Sequence, residues 1–378
     1  MTSETIFTTM TALAERTGAL NLGQGFPDGG EPPELLEAAT QAMRSGHNQY
    51  APLAGVPSLR EAIAAHQRRH YGIELDPDSQ IQVTFGATEA LAAALLALVR
   101  DGDEVAMLDP SYDSYAAVVA LAGGSARPIA LAPPEWRITE ALLAAAIGER
   151  TRVLLFNSPH NPTGRVFDEQ ELDLIAAACR EHDLIALTDE VYERLVYDGR
   201  HIPLATRAGM AERTLTASSL GKTHSVTGWK IGWLTGPPEL VASARAVKQY
   251  LSFAGGTPLQ HAAAAGLALD DSARALAASL RKRRDRLSTG LTAAGFQVLP
   301  SAGTYFLCAD TRPLGEPDAA TLAQRLPGEA GVVAIPLSAF CAAPTADTSA
   351  LLRFAFCKQV DVLDEAAARL QRWATSRR

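Results

Sequence analysis

The centre of the chain alternates short, largely apolar runs with longer helical patterns, and this alternation narrows the possible folds more than any other feature. Ile81–Phe85, Glu104–Leu108, Val153–Asn157, Leu184–Thr188 and Thr214–Ser218 read as strands, with helical periodicity between them at Glu89–Leu98, Tyr115–Ala122 and Glu169–Glu181. Strands that are apolar on both faces need cover on both faces, and strands separated by helices run parallel. The pattern predicts an α/β fold whose large domain is a mainly parallel sheet flanked by helices.

After about Pro237 the pattern changes to a long helical region, interrupted near Gly255–Pro258 and running to about Ala294. Asp271–Leu291 reads as one long helix, and its Arg281-Lys282-Arg283-Arg284 run as a solvated face. Strand-like Gly303–Ala309 and Leu351–Cys357, then a final helix from Asp364, predict a smaller α+β domain. The length of 378 residues suits two such units. The expected division is 1–45 as an N-terminal arm with part of the small domain, 46–282 as the large domain and 283–378 as the small one.

A net charge of −8 argues against a general nucleic-acid binder. No apolar run reaches the roughly 18 residues that span a bilayer. Met1–Thr9 carries Glu4 and no Lys or Arg, unlike a signal peptide, so a cytoplasmic location is expected. The four cysteines, Cys179, Cys308, Cys341 and Cys357, form no CxxC pair and no zinc-like spacing. They read as buried hydrophobes, and no metal site is expected.

The chemistry gathers at strand ends. Gly86-Ala87-Thr88 joins a strand to a helix, a turn whose amides favour an anion such as a phosphate. Asn157–Gly164 forms a Pro- and Gly-fixed loop at the edge where open α/β sheets bind ligands. His160 in that loop reads as structural. Asp189-Glu190-Val191-Tyr192 ends another strand, where a carboxylate can keep a pyridinium nitrogen protonated. The chain has only five lysines among 34 basic residues, so each one is informative. Lys222 follows a strand end, where crowding lowers an amine's pKa and makes it a nucleophile. Lys230, in Gly228–Trp233, sits in an apolar stretch, where a cation needs an anion beside it. Gly221-Lys222-Thr223 is not a phosphate-binding P-loop, since Thr216 stands where that motif needs glycine.

Together with Arg353-Phe354-Ala355-Phe356, these pieces resemble, over essentially the whole chain, the class I/II aminotransferases of the fold-type I pyridoxal phosphate enzymes. The resemblance implies pyridoxal 5'-phosphate held as a Schiff base on Lys222, which also shuttles the proton. It implies Asp189 on the pyridinium nitrogen, Asn161 and Tyr192 on the ring hydroxyl, and Tyr112 stacked on the ring. Gly86, Ala87, Thr88, Ser219 and Lys230 then hold the phosphate, joined by Tyr50 from the other subunit of a homodimer with shared active sites. Arg353 forks onto the substrate α-carboxylate, with Gly25 and Asn161 beside it. The reaction implied moves the α-amino group of an L-amino acid to a 2-oxo acid, 2-oxoglutarate for preference, in a two-step aldimine/pyridoxamine cycle. Such enzymes serve amino-acid or specialised biosynthesis.

Within the family, Leu22–Asp28 and Gly228–Trp233 are similar to the methionine, glutamine and kynurenine aminotransferase branch. Gly255-Gly256, Lys248–Ser252 and Gly303–Asp310 are similar to actinobacterial N-succinyldiaminopimelate aminotransferases. The glycine pair stands where kynurenine-type members carry an aromatic and a histidine. It is expected to empty one wall of the pocket and to disfavour a compact aromatic substrate. A cysteine-conjugate β-lyase would use the same residues, and a non-catalytic regulator would share the fold.

Overall fold

In a computed structural model, residues 5–377 are described; Met1–Glu4 of the expected arm and Arg378 lie outside them. A seven-stranded sheet forms the centre, in the order Ile81–Phe85, Ile231–Thr235, Thr214–Ser219, Ile185–Asp189, Thr151–Asn157, Glu104–Asp109, Ser125–Ala130. Ile231–Thr235 alone runs antiparallel to its neighbours, so the sheet is mainly parallel, as the alternation predicts.

Two of these strands were not singled out in the sequence. Ser125–Ala130 is an edge strand, mostly exposed and interrupted by Arg127 and Pro128, which an edge tolerates. Ile231–Thr235 is fully buried but only five residues long, directly after a 3₁₀ turn. Element ends also differ. The helix expected from Glu89 begins at Gly86, because Gly86 at φ +67 turns the chain straight from strand into helix. The final helix starts at Val360, earlier than Asp364.

A second, antiparallel sheet orders Ile335–Pro336, Leu351–Ala355, Phe306–Asp310 and Gln297–Val298. The strand expected from Gly303 starts only at Phe306, since Thr304 has φ +64 and cannot lie in a pleat. Leu20–Asn21 pairs in parallel with Val332–Val333, so the N-terminal segment packs beside this sheet. The expected long helix is present as Asp270–Ala293 and packs on the terminal helix Val360–Thr375. Its basic run is structural: Arg281 and Arg284 pair with Asp198, and Arg283 donates to the Lys358 carbonyl. No helix among the described residues is long and apolar enough to cross a membrane.

Both sheets aim strand ends and loops at one cavity. Its walls come from the carboxyl ends of Thr151–Asn157, Ile185–Asp189 and Thr214–Ser219, and from Arg353 and Phe306 of the second sheet.

Candidate active site

The cavity holds about 340 Å³, within the usual range for small-ligand sites. Gly25, Gly86, Ala87, Thr88, Tyr112, Asn161, Asp189, Tyr192, Ser219, Lys222, Lys230 and Arg353 all line it. Every residue expected at the site except Tyr50 therefore meets there.

One end is a backbone turn. Gly232 lies so close beneath it that a Cβ would sit 2.4 Å from the Gly86 carbonyl carbon and 2.7 Å from the Ala87 nitrogen. Thr88 Oγ1 accepts from Lys230 Nζ at 3.4 Å, while Ser219 lines the same side. Lys230 is exposed, which corrects the expectation of a buried cation: its ammonium reaches over the turn, where a Cβ on Gly86 would meet Nζ at 3.2 Å.

At the other end Asp189 is buried. Tyr115 Oη donates to its Oδ2 at 2.6 Å, and the Val191 amide donates to Oδ1 at 3.2 Å. No Lys, Arg or His forms an ion pair with it among the described residues, and burial raises its pKa. Asn157 braces the strand ends, donating through Nδ2 to the Asp189 carbonyl at 2.8 Å and accepting from the Asn161 amide at 2.7 Å. Tyr112 meets Tyr115 edge-on with ring centroids 5.6 Å apart.

Between the two ends stands Lys222. Its stem borders the cavity, but dense surroundings desolvate the amine and lower its pKa from 10.5 to about 8. Nζ donates to Tyr305 Oη at 2.8 Å, and Tyr305 in turn donates to the Gly25 carbonyl. Tyr192 packs edge-on against Tyr305 at 5.2 Å.

Arg353 is 1% exposed yet pairs with no carboxylate among the described residues. It donates to Asn161 Oδ1 at 2.9 Å and the Gly23 carbonyl at 3.0 Å, leaving Nε without a partner. The bond from Arg353 occupies the Asn161 oxygen and so leaves its Nδ2 as a donor. The guanidinium lies 3.9 Å from the Phe306 centroid, 4.4 Å from that of Phe340 and 5.4 Å from that of Phe7. Burial lowers its pKa to about 10, and a guanidinium there remains charged at neutral pH.

Pyridoxal phosphate fits this set. A buried carboxylate lacking a cation suits a protonated ring nitrogen, the backbone turn with Lys230 suits a phosphate, and the amine suits an aldehyde. The unpaired guanidinium suits the substrate's carboxylate.

His160 is structural, as expected. Nε2 bonds the Pro110 carbonyl at 3.0 Å, Nδ1 bonds Thr163 Oγ1 at 2.7 Å, and burial holds the ring neutral with a pKa of about 3.

Two expectations concern residues outside this cavity. Tyr50 is 82% exposed, edge-on to Phe253 at 5.8 Å, in a hollow shared with Asn48 and Gly255–Pro258. Gly255-Gly256 lies outside its own chain's cavity, in the hollow that holds Tyr50. A Cβ on Gly255 would meet the Phe85 ring at 2.3 Å, and Gly256 turns the chain at φ +63 into the next helix. The pair is explained by backbone packing.

Sequence reasoning missed Tyr115, Tyr305, Phe306 and Asn157. Tyr115 and Tyr305 meet partners 74 and 280 residues away, Asp189 and Gly25, and the local runs that contain Asn157, Tyr305 and Phe306 do not by themselves assign these contacts.

A family model for aminotransferase class I and II matches residues 17–370. The chain is 52% identical to a probable N-succinyldiaminopimelate aminotransferase of Mycobacterium tuberculosis, covering 97% of this chain and 95% of that one. It is 43% identical to the methionine aminotransferase of Escherichia coli, again over 97% and 95%. The solved structure of the Mycobacterium tuberculosis N-succinyldiaminopimelate aminotransferase superposes with a TM-score of 0.96, covering 98% of this chain and 97% of that one.

Proposed function

The chain belongs to the class I and II aminotransferases, enzymes dependent on pyridoxal phosphate, and we propose that it transfers the α-amino group of an L-amino acid to 2-oxoglutarate. Arg353 carries this reading: a buried cation without an internal acid calls for an anion brought by the substrate.

Arg353 grips the α-carboxylate through its planar fork, with Gly25 beside it. Lys222, whose amine has a pKa of about 8, would hold the cofactor aldehyde and, as a free amine, would take the α-proton. Bound pyridoxal phosphate supplies the sink for the electron pair left on the α-carbon. Asp189, held by Tyr115, would keep the ring nitrogen protonated. Asn161 Nδ2 and the Tyr192 hydroxyl would hold the ring oxygen, with Tyr112 as the ring's neighbour. The amides at Gly86, Ala87 and Thr88, with Ser219 and Lys230, would take the phosphate.

A second copy of the chain brings its Tyr50 to that phosphate. Exposed Tyr50, Tyr250, Phe253, Leu251 and Met43 support such self-association, being large apolar groups left in water. All four cysteines are free, which supports a cytoplasmic setting. The relatives' names support a donor with a long or polar side chain.

Absorption of the purified protein in the near-ultraviolet and visible tests the reading. The parent shows a cofactor band that changes on adding donor, and Lys222→Ala loses the covalent link to the cofactor and turnover. Near-parental activity of Lys222→Ala sinks it. A donor panel at fixed 2-oxoglutarate tests the side chain, and strict preference for kynurenine or phenylalanine overturns that part.

A further inference from the structure

We propose that Tyr305 positions the free amine of Lys222, holding it through one N–H so that the nitrogen lone pair stays open to receive the substrate α-proton. This rests on the reading of Lys222 as the reacting amine.

Tyr305 has one hydroxyl hydrogen to give. Tyr305 Oη lies 2.8 Å from Lys222 Nζ and also bonds the Gly25 carbonyl. A carbonyl only accepts, so the Tyr305 hydrogen is committed to Gly25. The phenol oxygen therefore offers Lys222 nothing but lone pairs, and the bond uses a hydrogen of the amine. Had the hydroxyl pointed at Lys222, it would have occupied the lone pair that must act as base. When the α-proton moves from carbon to Nζ, the amine becomes an ammonium and the same contact becomes a charge-assisted bond, which is stronger. Tyr305 thus favours the proton-transfer product without a proton of its own moving.

The ring is held in place to do this. Tyr305 is 0% exposed, with Phe306 at 4.9 Å and Tyr192 at 5.2 Å between centroids. Its carbonyl accepts from the Phe356 amide at 2.9 Å, and Thr304 before it is fixed at φ +64. A Cβ on Gly25 would come within 3.1 Å of Tyr305 Cε2, so glycine there allows the phenol to approach. The segment that anchors Tyr305 at Gly25 also anchors Arg353 at Gly23. One loop sets the distance between the amine and the carboxylate grip.

Tyr305→Phe keeps the ring and deletes the hydroxyl. The protein is loaded with pyridoxamine phosphate, the state in which Lys222 carries a free amine, and grown with ¹⁵N-lysine. With five lysines the Nζ spectrum is sparse, and the resonance missing from Lys222→Ala is that of Lys222. Loss of the acceptor should lower the Lys222 titration midpoint by about one pH unit. It should also lower kcat by about ten-fold or more, with KM for the donor near the parent's because Arg353 is untouched. A midpoint that does not move, a kcat within about two-fold of the parent, or a loss carried by KM overturns the proposal. If Lys222→Ala keeps near-parental turnover, the reading of Lys222 fails instead, which separates the two failures.

Discussion

Replacing Gly25 by alanine should damage substrate binding while the cofactor stays bound. An ideal Cβ on Gly25 lies 2.4 Å from Phe306 Cζ and 2.9 Å from its Cε1. Carbon atoms rest comfortably at about 3.5–4.0 Å, so the ring must retreat by about 1 Å. It has nowhere to go: Phe306 is 3% exposed, and the Arg353 guanidinium lies 3.9 Å from its centroid. Overpacking of this kind costs about 1–3 kcal/mol, and moving the carboxylate grip by a similar ~1 Å costs on the order of 100-fold in rate. Steady-state kinetics with a saturating 2-oxo acid should therefore show kcat/KM for the donor down by about 100-fold. The thermal midpoint should drop by only a few degrees, and the visible cofactor band should persist, since the atoms nearest the new methyl belong to Phe306 and Tyr305 and not to the groups proposed for the phosphate and the ring nitrogen. A folded, loaded Gly25→Ala enzyme with parental kcat/KM would refute the argument that Phe306 couples Gly25 to Arg353.

Three further outcomes are expected. Tyr115→Phe removes the 2.6 Å bond that stabilises ionised Asp189, so the carboxyl pKa, already raised by burial, rises further. Cofactor Kd should weaken about ten-fold, more so as pH falls, and a fluorescence titration giving parental Kd at every pH would contradict this. Gly232→Ala drives a methyl into the Gly86–Ala87 backbone, which has no side chain to yield, so retention of cofactor through dialysis should drop by at least about ten-fold. In the cofactor-free protein, Lys222 is protonated in both folded and unfolded states below pH 8, neutral when folded but charged when unfolded between about 8 and 10.5, and neutral in both above that. Between those values the unfolded chain binds more protons, so stability rises with pH. Lys222→Met should then stabilise by about 3 kcal/mol below pH 8, a gain that shrinks towards pH 10.5. A pH-independent difference in denaturant unfolding would count against a desolvated amine.

Features carried by contiguous residues were legible in the sequence. The strand-to-helix turn at Gly86, the loop after Asn157, Asp189 and Lys222 each announce themselves through a local run of residue types, and strand periodicity brings them to one sheet edge. What the sequence hid depends on approach between distant segments. Tyr115 looks like any residue of a helix until that helix crosses Asp189. Tyr305 lies before a short strand whose start is delayed by Thr304, and its partner Gly25 is on the N-terminal segment. At Gly255 the missing side chain answers a distant neighbour, since the Phe85 ring stands where its Cβ would be. Lys230 is the opposite case: apolar neighbours in sequence do not bury a side chain that reaches over the Gly86 turn.

The three phenylalanines around Arg353 have a consequence for discrimination. They shield the guanidinium from water without neutralising it, so the enzyme carries a standing positive potential at one end of its cavity. A simple amine, an amide or a methyl ester of the substrate has the same reactive nitrogen but leaves that potential unanswered. Such compounds should fail at binding and never reach the chemical step. Selection against decarboxylated look-alikes is then a property of the empty pocket, made before any side chain is inspected, which leaves the rest of the wall free to vary with the donor.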